Sequence, residues 1–193
     1  CNMNCPVCFA DSAKEVFEPD INKIREMYAA VINKNTSFSS VQISGGEPTV
    51  RGDLPKIIRL GKKMGFEHIQ VNTNGLRIAE DLNYLQQLKD SGADLIYLQF
   101  DGLNDDIYQA LRGKKMLDTK LQAIKNCRVV NIGVLLVPTI VPGVNFSEIG
   151  PIINFAREQM PVVKGIHFQP VSYFGRFPLS SPQDEDRVTL ADI

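Results

Sequence analysis

The chain has 193 residues, 44% of them hydrophobic and 22% charged, with a formal net charge of −1. That length suits one well-cored domain, and the composition is that of an ordinary soluble globular protein. A charge so near zero leaves no electrostatic footprint for nucleic acid or an anionic membrane, no apolar run approaches the roughly 18 residues of a membrane span, and no signal peptide is evident. The first residue is Cys1 and not a methionine, so the chain is expected to be a fragment of a longer protein and is read as a single domain over residues 1–193. Three of the four cysteines cluster in one loop, which does not resemble a secreted disulfide framework, and the expected compartment is the reducing cytoplasm.

The first eight residues, Cys1-Asn2-Met3-Asn4-Cys5-Pro6-Val7-Cys8, place three thiols in one short loop, and Pro6 argues against a regular helix there. A tetrahedral structural zinc site and a fully ligated four-iron cluster both want four protein ligands. Three cysteines without a fourth nearby would leave one iron of a [4Fe–4S] cluster open to an outside ligand. The other reading of this spacing is a partial zinc knuckle or three unrelated thiols.

Apolar residues at helical spacing predict a helix over 21–32, with Asp20 as its N-cap. A β-branched strand over 40–44 runs into Gly45-Gly46-Glu47-Pro48-Thr49, and a helix follows with Asp53 as cap and Pro55 in its first turn. The pattern repeats: strand 68–71 before Asn72-Thr73-Asn74-Gly75, helix 79–89, strand 95–100 before Asp101-Gly102, a helical turn at 105–111 and helix 118–126. Strand 131–137 breaks at Pro138, helix 147–159 has Ser147 as its candidate cap, and strand 165–169 breaks at Pro170. The final stretch, 173–193, reads as a loop through Pro178 and Pro182, with a helix starting near Val188. Strands alternating with helices at this spacing mean βαβ units and a parallel sheet.

In such a sheet the carboxyl ends of the strands share one face, and that face holds the site. The unusual polar groups fall there: Gly45, Gly46 and Glu47, then Asn72 to Asn74, Gln99 and Asp101, Thr139, and Gln169. Asn-Gly and Asp-Gly are also ordinary turn formers, so each alone is compatible with turn chemistry. Cys127 precedes its strand and lies roughly one strand length, ~17 Å, from that face, so it is expected to be a small buried apolar residue. His68 also precedes its strand and is expected to be structural, and His167 is expected to be a packed core histidine. Glu47, after two glycines that let backbone approach closely, is placed to balance a cationic group of a ligand. Tyr173, Phe174 and Phe177 are read as packing aromatics, with lining of an apolar pocket as the alternative.

The C-x3-C-x2-C loop of Cys1, Cys5 and Cys8, together with Gly45-Gly46-Glu47-Pro48, resembles the two signatures of the radical S-adenosylmethionine (radical SAM) superfamily, and the resemblance covers nearly the whole chain. It implies a partial parallel (β/α)6 TIM-like barrel, lacking its first strand here. It further implies a [4Fe–4S] cluster on the three cysteines, with S-adenosylmethionine (SAM) on the fourth iron and its methionyl amino group at Gly45, Gly46 and Glu47. Gln99 or Asp101 would meet the ribose and Arg112 the carboxylate. Val137 and Pro138 would flank the adenine, Gln169 would reach the ribose or adenine, and Asn72 joins the same set. The family's aromatic residue before the last cysteine is Val7 here, so Phe9 or another apolar group would pack on the adenine. The stretches Val41 to Pro55 and Phe168 to Ser172 resemble a subgroup that includes the archaeal tetraether lipid synthase and a related pterin-methylating enzyme, with the molybdenum-cofactor cyclase barrel more distant.

The function implied is reductive cleavage of SAM to a 5′-deoxyadenosyl radical that abstracts hydrogen from a small-molecule or lipid-like substrate, for methylation or C–C bond formation. An external electron donor of the flavodoxin or ferredoxin class is implied as well. The alternatives are a zinc-binding interaction module using the three cysteines and a histidine, or a catalytically inactive excised domain. With no preceding strand, residues 41–44 are expected to form an exposed edge open to self-association. The cysteine loop is expected to be poorly anchored.

Overall fold

The computed structural model describes residues 1–12, 17–32, 39–177, 187–189 and 191–193. Helix α1 (Ile21–Ile32) is capped as expected, Asp20 Oδ1 accepting the Lys23 N–H at 2.8 Å. Strand β1 (Ser40–Ile43) leads through a short 3₁₀ turn at Pro48–Val50 into α2 (Leu54–Met64). Asp53 makes no side-chain cap at α2. Its carboxylate is taken by the Arg51 guanidinium, with Nε to Oδ1 at 2.6 Å.

The remaining units are β2 (His68–Thr73), α3 (Leu76–Glu80), α4 (Leu82–Asp90), β3 (Leu95–Gln99), α5 (Asp105–Arg112) and α6 (Leu117–Val130). The single helix expected over 79–89 is two. Asp81 leaves helical geometry between them and caps the second, its carboxylate accepting the Tyr84 N–H at 2.8 Å. Strand β4 (Gly133–Val137) follows, then β5 (Thr139–Ile140), α7 (Ile149–Glu158), β6 (Val163–Ile166) and β7 (Gln169–Pro170). Ser147 lies in a 3₁₀ turn and caps nothing. The expected loop at Pro178 and Pro182 lies outside the described residues, and 187–189 is not helical.

Five strands form one parallel sheet in the order β1-β2-β3-β4-β6, so consecutive units are spatial neighbours. Pro138 interrupts the fourth strand, which has no N–H to give there. The chain resumes as β5, pairing with β7 in a two-stranded parallel extension. Among the described residues strand β1 pairs only with β2 and is a sheet edge, as expected.

One face of the sheet is apolar: Ile69, Val71, Ile96, Leu98, Val134 and Leu136 are all fully buried. They pack under a helical layer through Leu54, Ile58, Leu85, Leu88, Ala123 and Ile124. Burying each leucine or isoleucine contributes about 1.5–3 kcal/mol, enough collectively to fix strand register and hence the strand ends. Cys127 belongs to this core, and burial pushes its thiol up to about 12. His68 opens β2 away from the site, half-buried, with Nδ1 3.9 Å from Asp94 Oδ2.

Candidate active site

The carboxyl ends of the strands and the cysteine loop enclose a cavity of about 640 Å³, within the usual size range of small-molecule sites. Cys1, Cys5 and Cys8 line it, as do Gly45, Gly46, Glu47 and Asn72 from the first two strand ends. Gln99, Arg112, Val137 and Gln169 complete the set that the sequence brings forward. Asp101 and Pro138 do not line the cavity, and Asp101 is fully buried behind it.

All three cysteines are free thiols. Gly46 explains how the first strand end reaches them: a Cβ there would come 2.8 Å from Cys1 Cβ, so only glycine allows this approach. The cysteine loop is not loose, contrary to the expectation from its terminal position. Asn2 Oδ1 accepts from Asn74 Nδ2 at 2.8 Å, and Val7 N donates to Leu111 O at 3.3 Å. Cys8 and Arg176 exchange both backbone hydrogen bonds at 2.9 Å, and Arg176 Nε donates to Cys5 O at 3.0 Å. Gly175, at φ +76°, permits that pairing, since a Cβ would fall 2.4 Å from Cys8 O. Met3 and Val7 are buried beneath the loop. The anchors come from residues far along the chain, which a preceding strand is not needed to supply.

Glu47 is 4% exposed, and its carboxylate is held by four neutral donors. Oε1 accepts from Thr49 N (3.1 Å), Thr49 Oγ1 (2.6 Å) and Thr73 Oγ1 (2.7 Å), and Oε2 accepts from Asn74 N (2.7 Å). These bonds staple the β1 loop to the end of β2 and fix the carboxylate's orientation. No cation pairs with it in these contacts, so its charge still faces the cavity.

Asp101 differs. Arg112 grips it in a fork, Nε to Oδ2 at 2.8 Å and Nη2 to Oδ1 at 2.7 Å, while Thr139 N donates to Oδ1 at 3.1 Å and Gln99 Nε2 also donates to it. Burial alone would raise the Asp101 pKa, but the Arg112 charge and hydrogen bonds outweigh it and hold the carboxyl below its ordinary value. Arg112 also donates to Val7 O at 3.0 Å and Thr139 Oγ1 at 3.1 Å. A guanidinium has five N–H donors, and these hydrogen bonds engage four of them. Asp101 therefore does not present itself to a ribose, while Arg112 lines the cavity with most of its donors already engaged by protein. Burial pushes the Cys5 thiol up, partly countered by the Arg112 charge.

Sequence reasoning missed Lys120, which projects from α6 and is fully buried. Its ammonium bonds Asn74 O and, at 3.3 Å, Gln99 Oε1, tying the ends of β2 and β3 together. Burial drives its pKa down to about 7 despite the nearby Asp101 charge. Its polar partners sit 46 and 21 residues away, and no local pattern signals them. His167 is also unlike its expectation: it follows β6 as an exposed residue, lines the cavity, and its ring meets Tyr97 at 5.6 Å. The strand ends one residue before it, which turns the imidazole out of the core. Phe9 lines the cavity and is 59% exposed. Tyr173 and Phe177 pack edge-to-face at 5.0 Å and do not line the cavity.

Among the described residues no group of three or more His, Cys, Asp or Glu converges on a single metal-ion position. A tetrahedral zinc needs such convergence, whereas in an iron–sulfur cluster each cysteine takes its own iron. Three free thiols on one fixed loop, beside a guanidinium, fit a cluster. Among the described residues no helix is long and apolar enough to cross a membrane.

Comparison with known proteins places this geometry. Residues 1–156 match the family model described as the radical SAM superfamily. The chain is 45% identical over 196 residues to a 7,8-dihydro-6-hydroxymethylpterin dimethyltransferase of Methanocaldococcus jannaschii, covering 100% of this chain and 38% of that protein. It is 28% identical over 169 residues to a probable GTP 3′,8-cyclase of Methanothermobacter thermautotrophicus, covering 85% of this chain and 53% of the cyclase. The chain thus spans between about two fifths and one half of these relatives. Among solved structures, anSMEcpe with bound AdoMet superposes with TM-score 0.72 at 18% identity, covering 100% of this chain and 54% of that one. Methylornithine synthase superposes with TM-score 0.74 at 16% identity, covering 100% and 56%. A parallel α/β sheet of the radical SAM type, its cysteine loop and its Gly-Gly-Glu strand end therefore agree with the family match, and the chain belongs to the radical SAM superfamily of enzymes, which use SAM and a [4Fe–4S] cluster.

Proposed function

We propose that this chain is the SAM-cleaving core of an enzyme that methylates a small heteroaromatic substrate of the reduced-pterin class. The observation that carries the proposal is the cavity itself: three free thiols and one cation-free carboxylate line the same 640 Å³ space. Identity of 45% to a pterin dimethyltransferase across the whole chain supports the substrate class.

Cys1, Cys5 and Cys8 would hold the cluster, leaving one iron for the amino and carboxylate groups of SAM. When bound, and given one electron by an external donor, these groups would supply a 5′-deoxyadenosyl radical, with methionine released, to remove a hydrogen atom from the substrate. The protein's own work is positioning and exclusion of water. Gly45 and Gly46 would admit the methionyl end closely, and Glu47 would accept an N–H from its amino group with a carboxylate that cannot rotate, because four donors fix it. Gln99 is oriented by Asp101 and Lys120 so that its remaining edge meets the ribose. Asn72, Val137 and Gln169 bound the nucleoside space, with exposed Phe9 available to cover the adenine.

The test is anaerobic reconstitution of the intact protein with iron and sulfide, followed by dithionite and SAM. About four irons per chain and formation of 5′-deoxyadenosine are expected, and Cys5→Ala should abolish both. Colourless zinc in place of brown iron, or no change in Cys5→Ala, would end this reading. Methyl transfer is then checked with 7,8-dihydro-6-hydroxymethylpterin and methyl-labelled SAM.

A further inference from the structure

We infer that the buried Asp101–Arg112 pair is the electrostatic mount of the cysteine loop, with Arg112 as a positioning residue that sets the reduction potential of the cluster. The inference rests on the reading that Cys5 is a cluster ligand. Four observations carry it.

Asp101 and the Arg112 side chain are 0% and 9% exposed, so neither charge is dissipated in water. Four N–H groups of the guanidinium have protein acceptors, one of them on the cysteine loop, Val7 O at 3.0 Å, and the same charge acts on the Cys5 thiol, holding it lower than burial alone would. The pair is also asymmetric. Its cationic end touches the loop, while its anionic end points away to Thr139 N and Gln99 Nε2. Finally, Asn145, itself fully buried, donates to both Asp101 O and Thr139 O at 2.8 Å, which holds the backbone that carries the pair.

A cluster gains negative charge when it is reduced. A cation fixed against one of its thiolates stabilises the reduced form, and hydrogen bonds to sulfur act in the same direction. A desolvated dipole with its positive end toward the loop therefore raises the potential. Salt would screen it little, because both charges are buried.

The experiment measures the midpoint potential of the cluster in the intact, iron-loaded protein without SAM, in wild type and three variants. Arg112→Gln removes the cation and should shift the reduced-to-oxidised ratio at a fixed potential downward at least tenfold, ~59 mV for one electron. Asp101→Asn leaves the cation unopposed and should shift the ratio upward by threefold or more. Arg112→Lys keeps the charge and should stay within threefold of wild type. A merely structural role cannot move the potential in opposite directions, so opposite shifts support the inference. Shifts of the same sign, or none, in iron-loaded variants overturn it, as does weakened SAM binding in Arg112→Gln with an unchanged potential. If one variant fails to take up iron, the sign of the shift in the other decides. Iron uptake in wild type separates the two readings: without it both fail, and with it only the mount is at stake.

Discussion

Two buried carboxylates stand at neighbouring corners of the same site and are handled in opposite ways. Glu47, between β1 and β2, is held by two hydroxyls and two amides, with no cation among these contacts. Asp101, beyond β3, is neutralised by a guanidinium. Burying a charge costs several kcal/mol unless hydrogen bonds or a counter-charge compensate. Neutral donors meet that cost without a contacting counter-ion, which leaves the carboxylate able to take a cationic or N–H group from outside. An ion pair meets it internally and leaves no such opening. The first corner is thus suited to a ligand, and the second to holding the protein together around the first.

The contrast is broken most strongly at the ion pair. Asp101→Asn should cost about 3–5 kcal/mol, because it strands a buried guanidinium, and should lower SAM affinity less than Glu47→Gln does, since it acts on the ligand only through Gln99. Urea unfolding and calorimetric titration of the iron-loaded protein check the two halves separately. Equal losses of stability and affinity would mean that the corners are not functionally distinct.

At the other corner, Glu47→Gln should cost less stability, about 1–3 kcal/mol, since one amide cannot accept from all four donors. Its SAM affinity should fall by at least tenfold, about 1.4 kcal/mol. The comparison is sharpest if the two variants rank oppositely in the two assays.

The smallest effect concerns Lys120, which lies between the corners and interacts with both charges. Its pKa is about 7 in the folded protein against 10.5 for the free group. Between those values the unfolded chain binds the extra proton, so folding stability should rise with pH, by at most about 1.4 kcal/mol per unit. Below pH ~7 both states are protonated, and this contribution to the slope vanishes. Urea midpoints at pH 7 and pH 9 should differ in wild type and converge in Lys120→Met.

Much of this molecule was legible from local pattern. The β-branched run ending at Ile43 and the apolar spacing of Ile24 and Tyr28 mark a strand and a helix by period alone. Pro138 marks the break in the fourth strand. The break between α3 and α4 was not legible, since Asp81 lies within an otherwise helical apolar spacing and acts only once Tyr84 N is in reach. His167 was misjudged because one residue of strand length decides which way it faces.

The sequence by itself determined the chemistry on offer: three thiols in eight residues, a carboxylate after two glycines, and polar groups at every strand end. These are properties of residue type and short spacing, which no folding is needed to see. Only the tertiary structure decided how the charges are shared. Arg112 reads as a free cation until Asp101, eleven residues earlier, is found to occupy it, and Lys120 reads as a surface residue until burial and Asn74 O claim it. The cysteine loop reads as a loose end until Arg176, 171 residues from Cys5, closes on it. Each outcome depends on which distant groups meet inside a low-dielectric interior, where a partner or its absence is worth several kcal/mol, and sequence spacing carries no record of that.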